Sequence, residues 1–169
     1  MTESLLSRQL NQKVSDLFTI VSMPEFLAEG QAIYNLLNPD RIVIGTPDTD
    51  LGQSAFKLLE SLYSDDCKII NARNASAELG KLMSNAMLAQ RISSINSITS
   101  LTEKFENCDI MEVKDIVQSD PRIGSKYLSP SPGFGGSCFE KDLLSFIHIL
   151  DVNGETTAAK YWQGVLEIN

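Results

Sequence analysis

Asn38-Pro-Asp-Arg-Ile-Val-Ile-Gly-Thr-Pro-Asp-Thr-Asp50 contains the clearest strand in the chain. Its centre, Arg41-Ile-Val-Ile-Gly45, is short and β-branched, with Pro-Asp before it and Thr-Pro-Asp after it. Asp50 fits the N-cap of a helix over residues 51–64, and a further strand is expected at Cys67-Lys-Ile-Ile70. Upstream, Pro24 opens a turn, and residues 25–37 have helical periodicity ending at Asn38-Pro39. Phe18-Thr-Ile-Val-Ser22 reads as a strand, and residues 4–15 alternate polar and apolar at helical spacing.

Downstream the texture changes. Residues 75–105 contain no proline and only one glycine, Gly80, and are rich in Ala, Ser and Leu. One long helix is expected, with small side chains that allow close packing on several sides. Shorter helices are expected over 110–118, 139–151 and 155–167. Between them, Ser129-Pro-Ser-Pro-Gly-Phe-Gly-Gly-Ser137 must be a loop. No internal repeat is visible. The expected architecture is an α/β edge of about three strands (residues 1–73), joined to a mainly α-helical domain with one long helix (74–169).

The 169 residues are 43% hydrophobic and 21% charged, enough to bury one core and unlike low-complexity or collagen-like sequence. Twenty-two acidic against 14 basic residues give a formal net charge of −8, which argues against a nucleic-acid partner. No apolar run approaches the roughly 18 residues of a membrane span, and no secretory signal is expected at the N-terminus. Cys67, Cys108 and Cys138 are widely spaced and His148 is the only histidine, so no metal site is expected. A reducing, cytoplasmic setting fits.

Cys138 follows Gly133-Phe-Gly-Gly-Ser137 and precedes the helix-like Phe139-Glu-Lys-Asp142. At a helix start the backbone dipole favours a thiolate, and glycines let backbone approach a ligand. A buried structural cysteine beside a helix cap fits the same residues. His148 lies ten residues on, about 15 Å along a helix, so a cysteine–histidine pair is excluded. No Gly-x-Gly-x-x-Gly follows a strand, so a self-contained nicotinamide site is absent. Lys81 and Asn85 share one helix face and could steady negative charge on oxygen; a snorkelling lysine beside a solvated asparagine explains them as well. Glu25 and Glu29 also share a face of the expected helix. Arg122, Lys126 and Tyr127 could clamp an anion or stack on a flat group, and Asp142 falls one turn after Cys138.

Three strings change the balance together: Pro24-Glu-Phe-Leu-Ala-Glu-Gly30, the run from Glu78 to Ser97 with Gly80-Lys-Leu-Met-Ser-Asn85 inside it, and Gly133-Phe-Gly-Gly-Ser-Cys-Phe-Glu-Lys-Asp142. With Asn38–Gly45, Asp120-Pro-Arg-Ile-Gly124 and Ala159-Lys-Tyr-Trp-Gln163, they resemble the UDP-glucose 6-dehydrogenases, in the eukaryotic branch of the nucleotide-sugar dehydrogenases. The resemblance implies a two-step, NAD-dependent oxidation of UDP-glucose to UDP-glucuronate. It casts Cys138 as nucleophile through a thiohemiacetal and a thioester, Lys81 and Asn85 as oxyanion stabilisers, Glu25 as acid/base, and Asp142 as the group ordering water. Glu25, Phe26, Leu27, Ala28, Glu29, Lys81, Asn85, Arg122, Tyr127, Ser129, Phe134 and Gly135 match substrate-binding positions. Arg122 is expected to act across a dimer built on the central helices. Glu29, Cys138 and Lys141 match positions near the cofactor.

The chain departs from the family pattern at Met23, in place of Asn, and at Gly80, in place of a larger residue. Against the family it is expected to hold the end of a Rossmann-like NAD domain and the central helices, and to be inactive alone. Two other readings stay open: a non-catalytic helical dimerisation module, and a dehydrogenase of another nucleotide sugar such as GDP-mannose.

Overall fold

The computed structural model describes residues 18–63, 66–136 and 138–169; the helix expected over 4–15 lies outside them. The elements run α1 (Ala32–Leu37), β1 (Ile42–Gly45), α2 (Asp50–Glu60), β2 (Ile69–Ala72), α3 (Asn74–Asn96), α4 (Thr99–Thr102), α5 (Ile110–Gln118), α6 (Phe139–Val152) and α7 (Thr156–Ile168). The chain divides into two compact units, one ending at Lys81 and the next beginning at Leu82.

In the first unit β1 and β2 pair in parallel, Ile42 opposite Ile69 and Gly45 opposite Ala72, with α2 as the crossover. Ile44 is completely buried. The N-cap of α2 is Thr49, whose hydroxyl accepts the Gly52 N–H at 3.1 Å; Asp50, expected there, is the first helical residue, where its charge suits the dipole.

The third expected strand, Phe18–Ser22, is reduced to one antiparallel bridge, Ser22 with Gly45. Asn74 Nδ2 donates to the Ile20 carbonyl at 2.9 Å, so a side chain takes that acceptor. Two glycines serve the chain itself. A Cβ on Gly45 would come within 2.7 Å of the Ala77 Cβ, and one on Gly52 would collide with the Pro47 carbonyl.

The helix expected from residue 25 begins only at Ala32. Gly30 turns at φ +78°, the Leu27 N–H donates to Glu25 Oε2 (2.7 Å), and the Ala28 N–H donates to Asn35 Oδ1 (3.0 Å). These side-chain bonds hold residues 25–30 as a turn ahead of the helix. Glu25 and Glu29 therefore do not share a helix face.

The long helix ends at Asn96 rather than near 105. Hydroxyls past that point turn back on the backbone: Ser97 Oγ donates to the Ser94 carbonyl and Thr102 Oγ1 to the Thr99 carbonyl, both at 2.7 Å. Gly80 stands inside α3 and a Cβ there would meet nothing within 4 Å. Gly80→Ala is therefore expected to stabilise the chain by about 1 kcal/mol through helix propensity. A thermal melt checks this; a lower midpoint would contradict the open surroundings.

The second unit is helical and carries the core. Ala86 and Ala89 of α3 pack with Phe134, Leu143, Phe146, Trp162 and Val165, with Leu82, Met83 and Phe139 against their edge. The alanines admit the aromatic rings: Phe146 and Trp162 meet edge-on at 5.4 Å. Ser93, also buried, donates to the Val165 carbonyl at 2.7 Å and ties α3 to α7.

Candidate functional site

In the first unit, Glu25 and Lys81 meet. Lys81 Nζ lies 3.4 Å from Glu25 Oε1; the lysine side chain is 19% exposed and the glutamate 59%. So exposed a pair contributes at most about 1 kcal/mol, and its effect is to aim the amine. Lys81 Nζ is also 5.2 Å from the Phe26 ring centre, and the Arg41 guanidinium stands 4.1 Å from it. A cavity of about 210 Å³, lined by Met23, Glu25, Phe26, Leu36, Arg41 and Tyr63, lies beside this loop. Leu27, Ala28 and Glu29 continue the loop, with Glu29 exposed.

In the second unit, Cys138 is the exposed N-cap residue of α6, and its side chain makes no capping bond. One turn on, Asp142 is 7% exposed. Asn85 Nδ2 donates to Asp142 Oδ2 at 2.7 Å, Lys141 Nζ stands 3.4 Å from Oδ1, and the Asp142 N–H donates to the Cys138 carbonyl at 2.9 Å. A buried carboxylate requires such donors, and the first turn of α6 adds the favourable end of its dipole. Asn85 is itself buried.

The proline–glycine loop is held by side chains that sequence reading did not single out. The Ser131 N–H donates to Asn96 Oδ1 at 3.0 Å. Asn169 grips Phe134 twice, Oδ1 accepting its N–H at 2.6 Å and Nδ2 donating to its carbonyl at 3.0 Å. Gly133 has φ +112°, and a Cβ on it would reach within 2.6 Å of Asn169 Oδ1. That glycine thus admits an asparagine of this chain, where the sequence had suggested a ligand. Phe134 packs edge-on to Phe139 at 6.0 Å, and Tyr127 tilts over Phe139 at 6.2 Å. Ser129 and Gly135 are exposed.

Arg122 is 87% exposed on its side chain and forks onto the Asp120 carboxylate, Nε at 3.0 Å and Nη2 at 2.6 Å. The guanidinium holds the Asp120 carboxyl below the usual aspartate range, and the carboxylate raises Arg122 in turn. The local signal for the missed residues was an amide side chain at a helix C-terminal end, Asn96 as the last residue of α3 and Asn169 as the C-cap of α7.

Residues 75–169 match the UDP-glucose/GDP-mannose dehydrogenase family, central domain, and residues 1–66 match the NAD binding domain of the same family. The UDP-glucose 6-dehydrogenase 1 of Arabidopsis thaliana is 50% identical over 155 residues, 90% of this chain and 32% of that protein. UDP-glucose 6-dehydrogenase 1 of Glycine max is 46% identical over the same shares. A UDP-glucose dehydrogenase from the archaeon Pyrobaculum islandicum aligns with a TM-score of 0.81 at 37% identity, covering 98% of this chain and 37% of that one. The chain belongs to the UDP-glucose/GDP-mannose dehydrogenase family. It spans about a third of the length of the curated relatives it matches.

The family's cofactor is NAD, in agreement with the domain matched over 1–66. The described residues do not build its pyrophosphate cradle. Beside the turn from β1 into α2, space at Gly45 is filled by Ala77 and space at Gly52 by Pro47, leaving no glycine there for a phosphate to approach. Among the described helices none is long and apolar enough to cross a membrane.

Proposed function

We propose that this chain supplies the sugar side of UDP-glucose 6-dehydrogenase chemistry, the two-stage oxidation of UDP-glucose to UDP-glucuronate that uses NAD in the family. In this reading Cys138 Sγ adds to the C6 aldehyde carbon. A carbon–sulfur bond forms as the carbonyl electron pair moves onto oxygen, giving a thiohemiacetal. The Lys81 ammonium and the Asn85 amide steady that oxygen. Hydride loss from that carbon, to NAD when it is bound, would turn the thiohemiacetal into a thioester. Glu25 then takes one proton from water as it attacks the thioester; the carbon–sulfur bond breaks, releasing the thiolate and a carboxylic acid that loses its remaining proton to solvent. Asp142 orders water and fixes the Asn85 amide. Lys141 and Glu29 are assigned to the cofactor side. Phe26, Leu27, Ala28, Arg122, Tyr127, Ser129, Phe134 and Gly135 line the nucleotide sugar.

The observation that carries this reading is the buried Asn85–Asp142 hydrogen bond at 2.7 Å, one helical turn behind Cys138. A purely structural cysteine has no need of a desolvated amide–carboxylate pair beside it. A domain boundary near residue 73 is supported by the family matches, one ending at 66 and the next starting at 75. Dimerisation through the central helices, with Arg122 reaching the partner, is supported by exposed Met87 on α3 and by the guanidinium's exposure. A cytoplasmic setting is supported by the odd number and wide sequence spacing of Cys67, Cys108 and Cys138.

The test uses two proteins. The chain alone, given UDP-glucose and NAD, is expected to form little or no NADH. Grafted into the Arabidopsis thaliana relative in place of the matching stretch, it should restore NADH and UDP-glucuronate formation. A folded graft that forms neither would sink the reading.

A further inference from the structure

We propose that Arg91 is a positioning residue for this reaction: it fixes the backbone turn that presents Arg122 and Tyr127 to the nucleotide sugar. The proposal rests on the reading above, in which those two residues contact the substrate. Arg91 stands on α3 and reaches a loop more than thirty positions away in sequence. Its Nε donates to the Lys126 carbonyl at 2.7 Å, and its Nη2 donates to the Gly124 carbonyl at 2.8 Å. One planar guanidinium thus pins two carbonyls two residues apart, a geometry that the single ammonium of lysine does not reproduce.

The gripped turn is conformationally costly. Gly124 sits at φ +68° and Tyr127 at φ +61°, so a bulky residue occupies the left-handed region immediately after the second pinned carbonyl. Such a conformation persists where the surroundings over-determine it, and such residues cluster at functional sites. The rest of the turn depends on short local bonds: the Ile123 and Gly124 N–H groups both donate to the Asp120 carbonyl, at 3.0 and 2.9 Å, and the Leu128 N–H donates to that of Ser125 at 3.4 Å. Tyr127 in turn lies 6.2 Å from Phe139, the residue after Cys138. A rigid helix therefore sets the loop through Arg91, and the loop sets the ring beside the helix start.

The test uses the full chain as wild type, Arg91→Met and Arg91→Lys. Hydrogen exchange reads the turn. N-ethylmaleimide labelling of Cys138, mapped by mass spectrometry with and without UDP-glucose, reads the site. Arg91→Met should speed exchange at Ile123, Gly124 and Leu128 by about ten-fold or more while α6 and α7 keep wild-type rates. The UDP-glucose concentration that protects Cys138 should rise by about ten-fold, with the sugar-free labelling rate unchanged within about two-fold. Arg91→Lys, which keeps the charge and one carbonyl, should loosen the turn by a smaller factor, and added guanidinium should partly restore the methionine variant. Unchanged turn exchange in either variant, loosening spread evenly over α6 and α7, or unchanged protection would overturn the proposal. If wild type itself gains no protection from UDP-glucose while Arg91→Met still frees the turn, the substrate reading has failed and the grip of Arg91 on the turn has not.

Discussion

Cys138→Ser, made in the graft of this chain into the Arabidopsis thaliana relative, is expected to lower UDP-glucuronate formation on the order of a thousand-fold or more. A serine hydroxyl stays protonated at neutral pH and adds poorly to the C6 aldehyde, whereas a cysteine reaches the anionic form far more readily. Cys138 is exposed at the start of α6, and serine differs from it by one atom, oxygen in place of sulfur. The midpoint of thermal unfolding should therefore stay within about a degree or two of the parent, as for other exposed substitutions. Coupled measurement of NADH and UDP-glucuronate checks both products. Full turnover in the serine variant would mean that Cys138 is not the nucleophile.

Leu143→Ala should have the largest effect on stability, about 3 kcal/mol. Leu143 is wholly inaccessible and lies in the cluster with Ala86, Phe146 and Trp162, where loss of three carbon atoms leaves a void that alanine-lined walls cannot close. Its neighbour is Asp142, so the same void loosens the turn that holds the Asn85 bond. The chain's single tryptophan, Trp162, sits in this cluster and serves as the fluorescence probe for a urea titration. Leu143→Met, which keeps the volume, should cost less than about 1.5 kcal/mol. Equal costs for alanine and methionine would show that packing at this position does not hold the unit together.

The parts of the fold legible in the sequence were those fixed by local chemistry. β1 was visible because Ile42-Val-Ile44 is β-branched and bounded by turn residues, and α5, α6 and α7 because their apolar spacing and boundaries agree. The misread elements are those where side chains compete for backbone groups. Glu25 and Asn35 bind the amides of Leu27 and Ala28 and hold residues 25–30 as a turn, so apolar spacing over 25–37 yields only the short α1. Absence of proline past Asn96 did not extend α3, since the Ser and Thr hydroxyls there bond backwards. Phe18–Ser22 has strand composition, yet a strand is defined by its partners, and only Ser22 finds one.

The candidate site divides in the same way. Asn85 and Asp142, 57 positions apart, carried no sequence signal of their meeting beyond the family resemblance. The grips of Arg91 on Gly124 and Lys126, and of Asn169 on Phe134, depend on long-range packing that spacing alone does not encode.

Acid quench of the graft during steady turnover with UDP-glucose and NAD, followed by peptide mass spectrometry, is the most direct measurement. The account predicts a UDP-glucuronyl mass added at Cys138 and absent from Cys67 and Cys108. An adduct on another residue, or none during active turnover, would contradict it.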